Sequence, residues 1–184
     1  MRLRGEGMRR KPIVKENVLM LCRVGLLCAV ALVLSVLENM VPALSVSLPG
    51  MKLGLSNLAV MFALELCPLP CALSIVAVKA LFALATRGVA AFMMSFAGSV
   101  CATLGMYLLI RSKRVSFGCL GVGIGGAFLH NMGQFAVALV IVSDAAVMYL
   151  PVLCVASLAT GSLTALVYYT LMPPLKKIPL MSRS

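Results

Sequence analysis

Between Arg87 and Arg111 the chain reads Gly88-Val-Ala-Ala-Phe-Met-Met-Ser-Phe-Ala-Gly-Ser-Val-Cys-Ala-Thr-Leu-Gly-Met-Tyr-Leu-Leu-Ile110, 23 residues without a charge. As a helix rising about 1.5 Å per residue it is about 35 Å long, enough to cross the ~30 Å of hydrocarbon in a bilayer. The rest of the chain repeats the pattern. Of 184 residues 62% are hydrophobic and 11% charged, the mean hydropathy is +1.09, and acidic residues number five. No water-soluble fold clothes so much apolar surface with so few charges.

Applied along the sequence, the same ruler marks six apolar segments, at about 17–41, 53–67, 71–87, 88–110, 117–142 and 148–172. The second is short for a full crossing. Pro68 and Pro70 force a break after it, and the third and fourth segments are separated only at Thr86-Arg87-Gly88. The expectation is an all-α integral membrane protein of about six transmembrane helices. Residues 1–16 form a basic N-terminal tail, 17–172 the membrane domain and 173–184 a C-terminal tail.

The formal charge of +11 does not describe a nucleic-acid-binding face, because the arginines and lysines lie in short segments between apolar runs. It describes topology. With the N-terminus inside, thirteen of the sixteen basic residues fall on the inner side, Lys52 and Arg87 fall outside, and Lys79 is buried. That bias puts both termini in the cytoplasm and suits an even number of crossings. Tyr107, Tyr149, Tyr168 and Tyr169 all fall near expected span ends, where a ring is apolar and its hydroxyl wet. The basic opening and the apolar stretch after it are read as an uncleaved first helix rather than a signal peptide.

Several familiar signatures are excluded. Seven cysteines without a C-x-x-C pair read as small membrane residues, and no metal site or cofactor is expected. Gly121-Val-Gly-Ile-Gly-Gly126 spells a dinucleotide fingerprint, but it opens a long apolar helix where that fingerprint needs a strand before it. No phosphate loop surrounds any lysine, so ATP-driven work requires a separate engine.

Ionisable and amide groups inside apolar runs are the candidates for function, since burying each in hydrocarbon costs at least about 2.5 kcal/mol. Glu38 and Asn39 lie near the outer end of the first helix, Asn57 near the outer end of the second, and Lys79 midway along the third. His130 and Gln134 share a face of the fifth helix at i, i+4, with Asn131 close by. Glu38 is the leading partner for Lys79. A structural pin between helices and a pocket for a small polar or anionic molecule are both open readings of these groups. The external segment from Pro42 to Gly54, with Lys52, suits either a connector or a lid. Small residues four apart, Gly25 with Ala29 and Ala31 with Ser35 in the first helix, Gly121 with Gly125 in the fifth, mark faces where helices approach closely.

Three stretches, Leu34-Ser-Val-Leu-Glu-Asn39, Pro49-Gly-Met-Lys-Leu-Gly-Leu-Ser-Asn57 and His130-Asn-Met-Gly-Gln134, resemble the bacterial membrane family called heptaprenyl diphosphate synthase component I, also known as the Gx transporter family. The likeness runs from about residue 20 to 172. That family in turn resembles the S components of energy-coupling-factor transporters, six-helix proteins with an outward-facing ligand pocket that partner a membrane coupling protein and two cytoplasmic ATPases. The resemblance implies an S-component-like bundle in the bacterial cytoplasmic membrane. It implies substrate contacts at Glu38, Asn39, Lys52, Asn57, His130, Asn131 and Gln134, beside Lys79, and docking of the coupling protein through Gly25, Ala29 and Ala31.

The family's two names point to different work. Prenyl diphosphate synthases hold Mg²⁺ with paired aspartate-rich motifs, and this chain has one aspartate, Asp144. It is therefore expected not to be an enzyme. The leading expectation is a membrane-embedded subunit that captures a small molecule for ATP-driven uptake. The alternative is a non-catalytic accessory subunit, partnering a soluble prenyl synthase subunit in isoprenoid or quinone synthesis, and a third reading is a standalone facilitator.

Overall fold

A computed structural model describes residues 13–40, 54–112, 117–142, 147–148, 150–178 and 180–181. They form six helices: α1 Ile13–Asn39, α2 Asn57–Leu66, α3 Leu69–Arg87, α4 Val89–Arg111, α5 Cys119–Val142 and α6 Leu150–Lys177. Among the described residues there is no strand. Five of the helices are long and apolar enough to cross a bilayer, and the chain is an all-α, multi-pass membrane protein.

The second helix departs from the expectation of a span over 53–67. It has 10 residues, about 15 Å of rise, and does not cross by itself. Its start is set by Gly54, whose φ of +85° lies in the left-handed region, and by the Asn57 N–H donating to the Gly54 carbonyl at 2.9 Å. Its end is set by Cys67, in extended backbone before Pro68. Short as it is, α2 lies at the centre. Eight of its residues are buried and it packs on all five other helices, so the main hydrophobic core is built around it.

Tight joints place the other helices. Pro70 sits in the first turn of α3, where a missing N–H costs nothing. Gly88, at φ +85°, is the single residue between α3 and α4; its N–H donates to the Leu84 carbonyl, and its own carbonyl accepts from Phe92. The α4–α5 crossing is close because a Cβ on Gly133 would come within 2.8 Å of the Ala97 carbonyl oxygen and of the Gly98 Cα. A Cβ on Gly123 would come within 2.6 Å of the Gly161 carbonyl oxygen, which fixes α5 against α6. In lipid no hydrophobic force presses helices together, so close van der Waals contact of this kind holds the bundle. Of the two glycines expected to serve such contacts in the fifth helix, Gly125 faces Leu109 of α4, whereas Gly121 meets only the nearby Phe117 side chain.

The ends of the bundle are fixed by contacts. Arg23 is buried in the first half of α1 and its Nε–H donates to the Leu180 carbonyl, while Met181 tucks into the core. Lys176 near the end of α6 meets Glu65 near the end of α2 at 2.9 Å, so Glu65 is half-buried and paired. The start of α1 and the end of α6 therefore share one end of the molecule. α6 also runs five residues past the expected 172, through Pro173 and Pro174. The carbonyls those prolines leave without a donor belong to the exposed Tyr169 and Thr170.

Candidate functional site

At the opposite end α1 finishes beside the beginning of α2. The Glu38 carboxylate, 6% exposed, accepts the Ser56 backbone N–H on Oε1 and the Ser56 hydroxyl on Oε2, both at 3.2 Å. It thus occupies the positive end of α2, where backbone N–H groups favour an anion. From α3, the Lys79 ammonium, 2% exposed, donates to Ser56 Oγ at 3.0 Å and to Asn57 Oδ1 at 2.8 Å. Glu38 and Lys79 are joined, as expected, and the Ser56 hydroxyl is the bridge. Arg87, from the last turn of α3, adds a second cation within electrostatic reach of Glu38.

His130 and Gln134 approach the same place from α5. Both are buried, and Gln134 Nε2 lies 2.6 Å from His130 Nε2. The contact ties the end of the Gln134 side chain to the ring one helical turn before it, so the two side chains hold each other in place. Gly54 joins the two halves of the cluster: a Cβ there would lie 2.8 Å from His130 Cδ2 and 3.0 Å from Asn57 Nδ2. A Cβ on Gly98 would lie 2.7 Å from the His130 carbonyl oxygen and 2.8 Å from Gln134 Cγ, so α4 presses the pair from behind. Two glycines give His130 its position.

Other expected residues lie elsewhere. Asn131 is buried but turned to α6, where its Nδ2 donates to Ser157 Oγ at 2.8 Å and to the Leu153 carbonyl at 3.3 Å. Asn39 is exposed at the last position of α1. Lys52 and residues 42–53 of the segment from Pro42 to Gly54, expected as a connector or a lid, lie outside the described residues. On α1, Gly25 faces open space and Ala29 is exposed, whereas Ala31 is 1% exposed and packs in the core, a contact within the bundle rather than a docking surface.

Two features went unread in the sequence. Ser56 carries the centre of the network, and its one signal was its place just before Asn57 in the Gly-Leu-Ser-Asn turn. Ser95, Ser99 and Thr103 line a buried polar row along α4 at four-residue spacing. Among the described residues, Asn57 Nδ2, Ser99 Oγ and Asn131 Oδ1 are buried without a hydrogen-bond partner. The site gathers the Glu38 carboxylate, the basic side chains of Lys79 and Arg87, the amides of Asn57 and Gln134 and the His130 imidazole. Such a set suits binding or the pinning of helices.

A family model described as heptaprenyl diphosphate synthase component I matches residues 27–171. The chain belongs to that family. The match runs from the middle of α1 to within a turn or two of the end of α6, so the heptaprenyl diphosphate synthase component I family is defined here by the helical bundle itself. Glu38, Ser56, Asn57, Lys79 and His130 all fall inside the match, and Gly25, Arg23 and Lys176 outside it. No curated protein and no solved structure matches the chain.

Proposed function

We propose that this chain is the non-catalytic membrane component of a heptaprenyl diphosphate synthase, seated in the bacterial cytoplasmic membrane and working with a soluble catalytic subunit. The observation that carries the reading is the family match across the bundle. The composition supports a separate catalyst, because one aspartate cannot supply the paired motifs that hold the magnesium of a prenyl transfer. A membrane partner has clear physical use in such a reaction, since each added isoprene unit makes the product more apolar and the bilayer is where it partitions.

The test is reconstitution. Purified chain in lipid nanodiscs, added to a soluble prenyl synthase subunit, is expected to change the rate or the product chain length. No change across several lipid compositions removes the reading.

A second reading is favoured by the buried network of Glu38, Ser56, Asn57, Lys79 and His130. Charged groups held inside a membrane bundle commonly mark a binding path, and this cluster suits capture of a small molecule for uptake, with a membrane coupling protein and cytoplasmic ATPases as partners. Under that reading a metabolite co-purifies with the parent protein, visible by mass spectrometry, and Lys79→Met and His130→Ala lose it while still eluting as folded protein. Retention of the metabolite by both folded variants ends it.

A further inference from the structure

At the end of the bundle where α2 passes into α3 and α4 finishes lies a cavity of about 380 Å³. Its wall is mixed: Glu65 from α2, Pro68 and Leu69 at the start of α3, and Tyr107, Ile110 and Arg111 from the last turns of α4. The Glu65 carboxylate is already met by Lys176 at 2.9 Å. Arg111 is held with its guanidinium carbon 5.1 Å from the centre of the Tyr107 ring, a cation–π contact that fixes the charge at the cavity wall. The first turn of α3, a 19-residue helix, brings the positive end of its dipole to the same wall. Pro70 there has no N–H and the Cys71 N–H donates to the Pro68 carbonyl, so the contribution is one of field rather than of several free donors. Two sources of positive potential thus converge on a space whose one carboxylate is compensated, while Leu69 and Ile110 offer hydrocarbon beside it.

We propose that this cavity seats the phosphate or diphosphate headgroup of a lipid, with the charge on Arg111 and the α3 N-terminus and the hydrocarbon chain leaving past Leu69 and Ile110. Arginine suits the headgroup because its planar N–H fork pairs with phosphate oxygens. The inference rests on the synthase reading in taking a prenyl diphosphate as one source of that chemistry; a phospholipid of the bilayer is the other.

The experiment measures binding of farnesyl diphosphate, phosphatidic acid and farnesol to the full chain in phosphatidylcholine nanodiscs, by native mass spectrometry. Both phosphorylated lipids are expected to bind more tightly than farnesol. Arg111→Glu is expected to weaken them at least tenfold, and Lys177→Gln, which removes a nearby charge outside the cavity, to leave them unchanged. Leu69→Trp fills the space and is expected to act like Arg111→Glu, so the result stands even where one of the two fails to fold. Tighter farnesyl diphosphate supports a prenyl source and tighter phosphatidic acid a bilayer source. Equal binding of farnesol, or undiminished binding by folded Arg111→Glu and Leu69→Trp, overturns the site. That failure is read in binding alone, whereas the synthase reading stands or falls on the effect of the unaltered chain on a soluble subunit.

Discussion

Lys79 lies where an isolated ammonium is costly, and its amine is met there by two hydrogen bonds and a carboxylate one hydroxyl away. Removing one member of such a set leaves the others buried and unmatched, at a cost of about 3–5 kcal/mol. Lys79→Met is therefore expected to lower the unfolding temperature in detergent clearly, and the double variant Glu38→Gln with Lys79→Met to recover part of the loss. A single variant that melts with the parent would show that the network does not hold the bundle. At this scale the sequence was informative because charge is scarce: Glu38, Lys79 and the His130–Gln134 pair stood out against apolar neighbours, and the structure brings them together. Ser56 did not stand out, since a hydroxyl is ordinary in a membrane helix. The direction of Asn131 was hidden for another reason. Adjacent helix positions point about 100° apart, and only the packed position of α6 decides which of the two faces the cluster.

The helices themselves were legible from apolar run length and from proline and glycine punctuation, because hydrocarbon admits only helices and closed barrels, and a barrel is written in short alternating strands rather than long apolar runs. Their exact extents were not. The 10-residue length of α2 follows from the left-handed turn at Gly54, which holds the helix start at Asn57, whereas Leu53 and Leu55 on either side of the glycine read as part of the apolar segment. Glycines at joints and crossings give the predictions proper to elements. Gly88→Ala meets nothing in space yet forces a side chain into a positive-φ, extended-ψ conformation that is essentially glycine's own, so it is expected to cost about 1–3 kcal/mol in thermal or denaturant unfolding. Gly133→Leu drives a side chain into the Ala97 carbonyl and is expected to cost about 1–3 kcal/mol, with the α4–α5 contact loosened in cysteine cross-linking. Gly25→Ala, inside α1 with open space around it, is the control: it is expected to leave the cross-link unchanged and to raise stability by up to about 1 kcal/mol, since alanine favours helix over glycine.

For the whole molecule, the contacts of Arg23 with Leu180 and of Glu65 with Lys176 put the beginning of α1 and the end of α6 at one end. Charge counting reached the same arrangement, because basic residues in short loops are an independent record of sidedness. Reporter fusions at residues 1 and 184 are expected to be protected together, on the cytoplasmic side; opposite sides would contradict the fold. Biological role was less legible, since the same buried polar groups serve a binding site or a structural pin, and only the family match favours a synthase partner. The one-residue joint at Gly88 has a geometric result. Lys79 lies nine residues before Gly88 on α3, and Gly98, pressed to His130, lies ten residues after it on α4, which is about 14–15 Å of helix rise on either side of the turn. A joint of one residue thereby sets the basic side chain and the backing of the imidazole level with each other in the bundle.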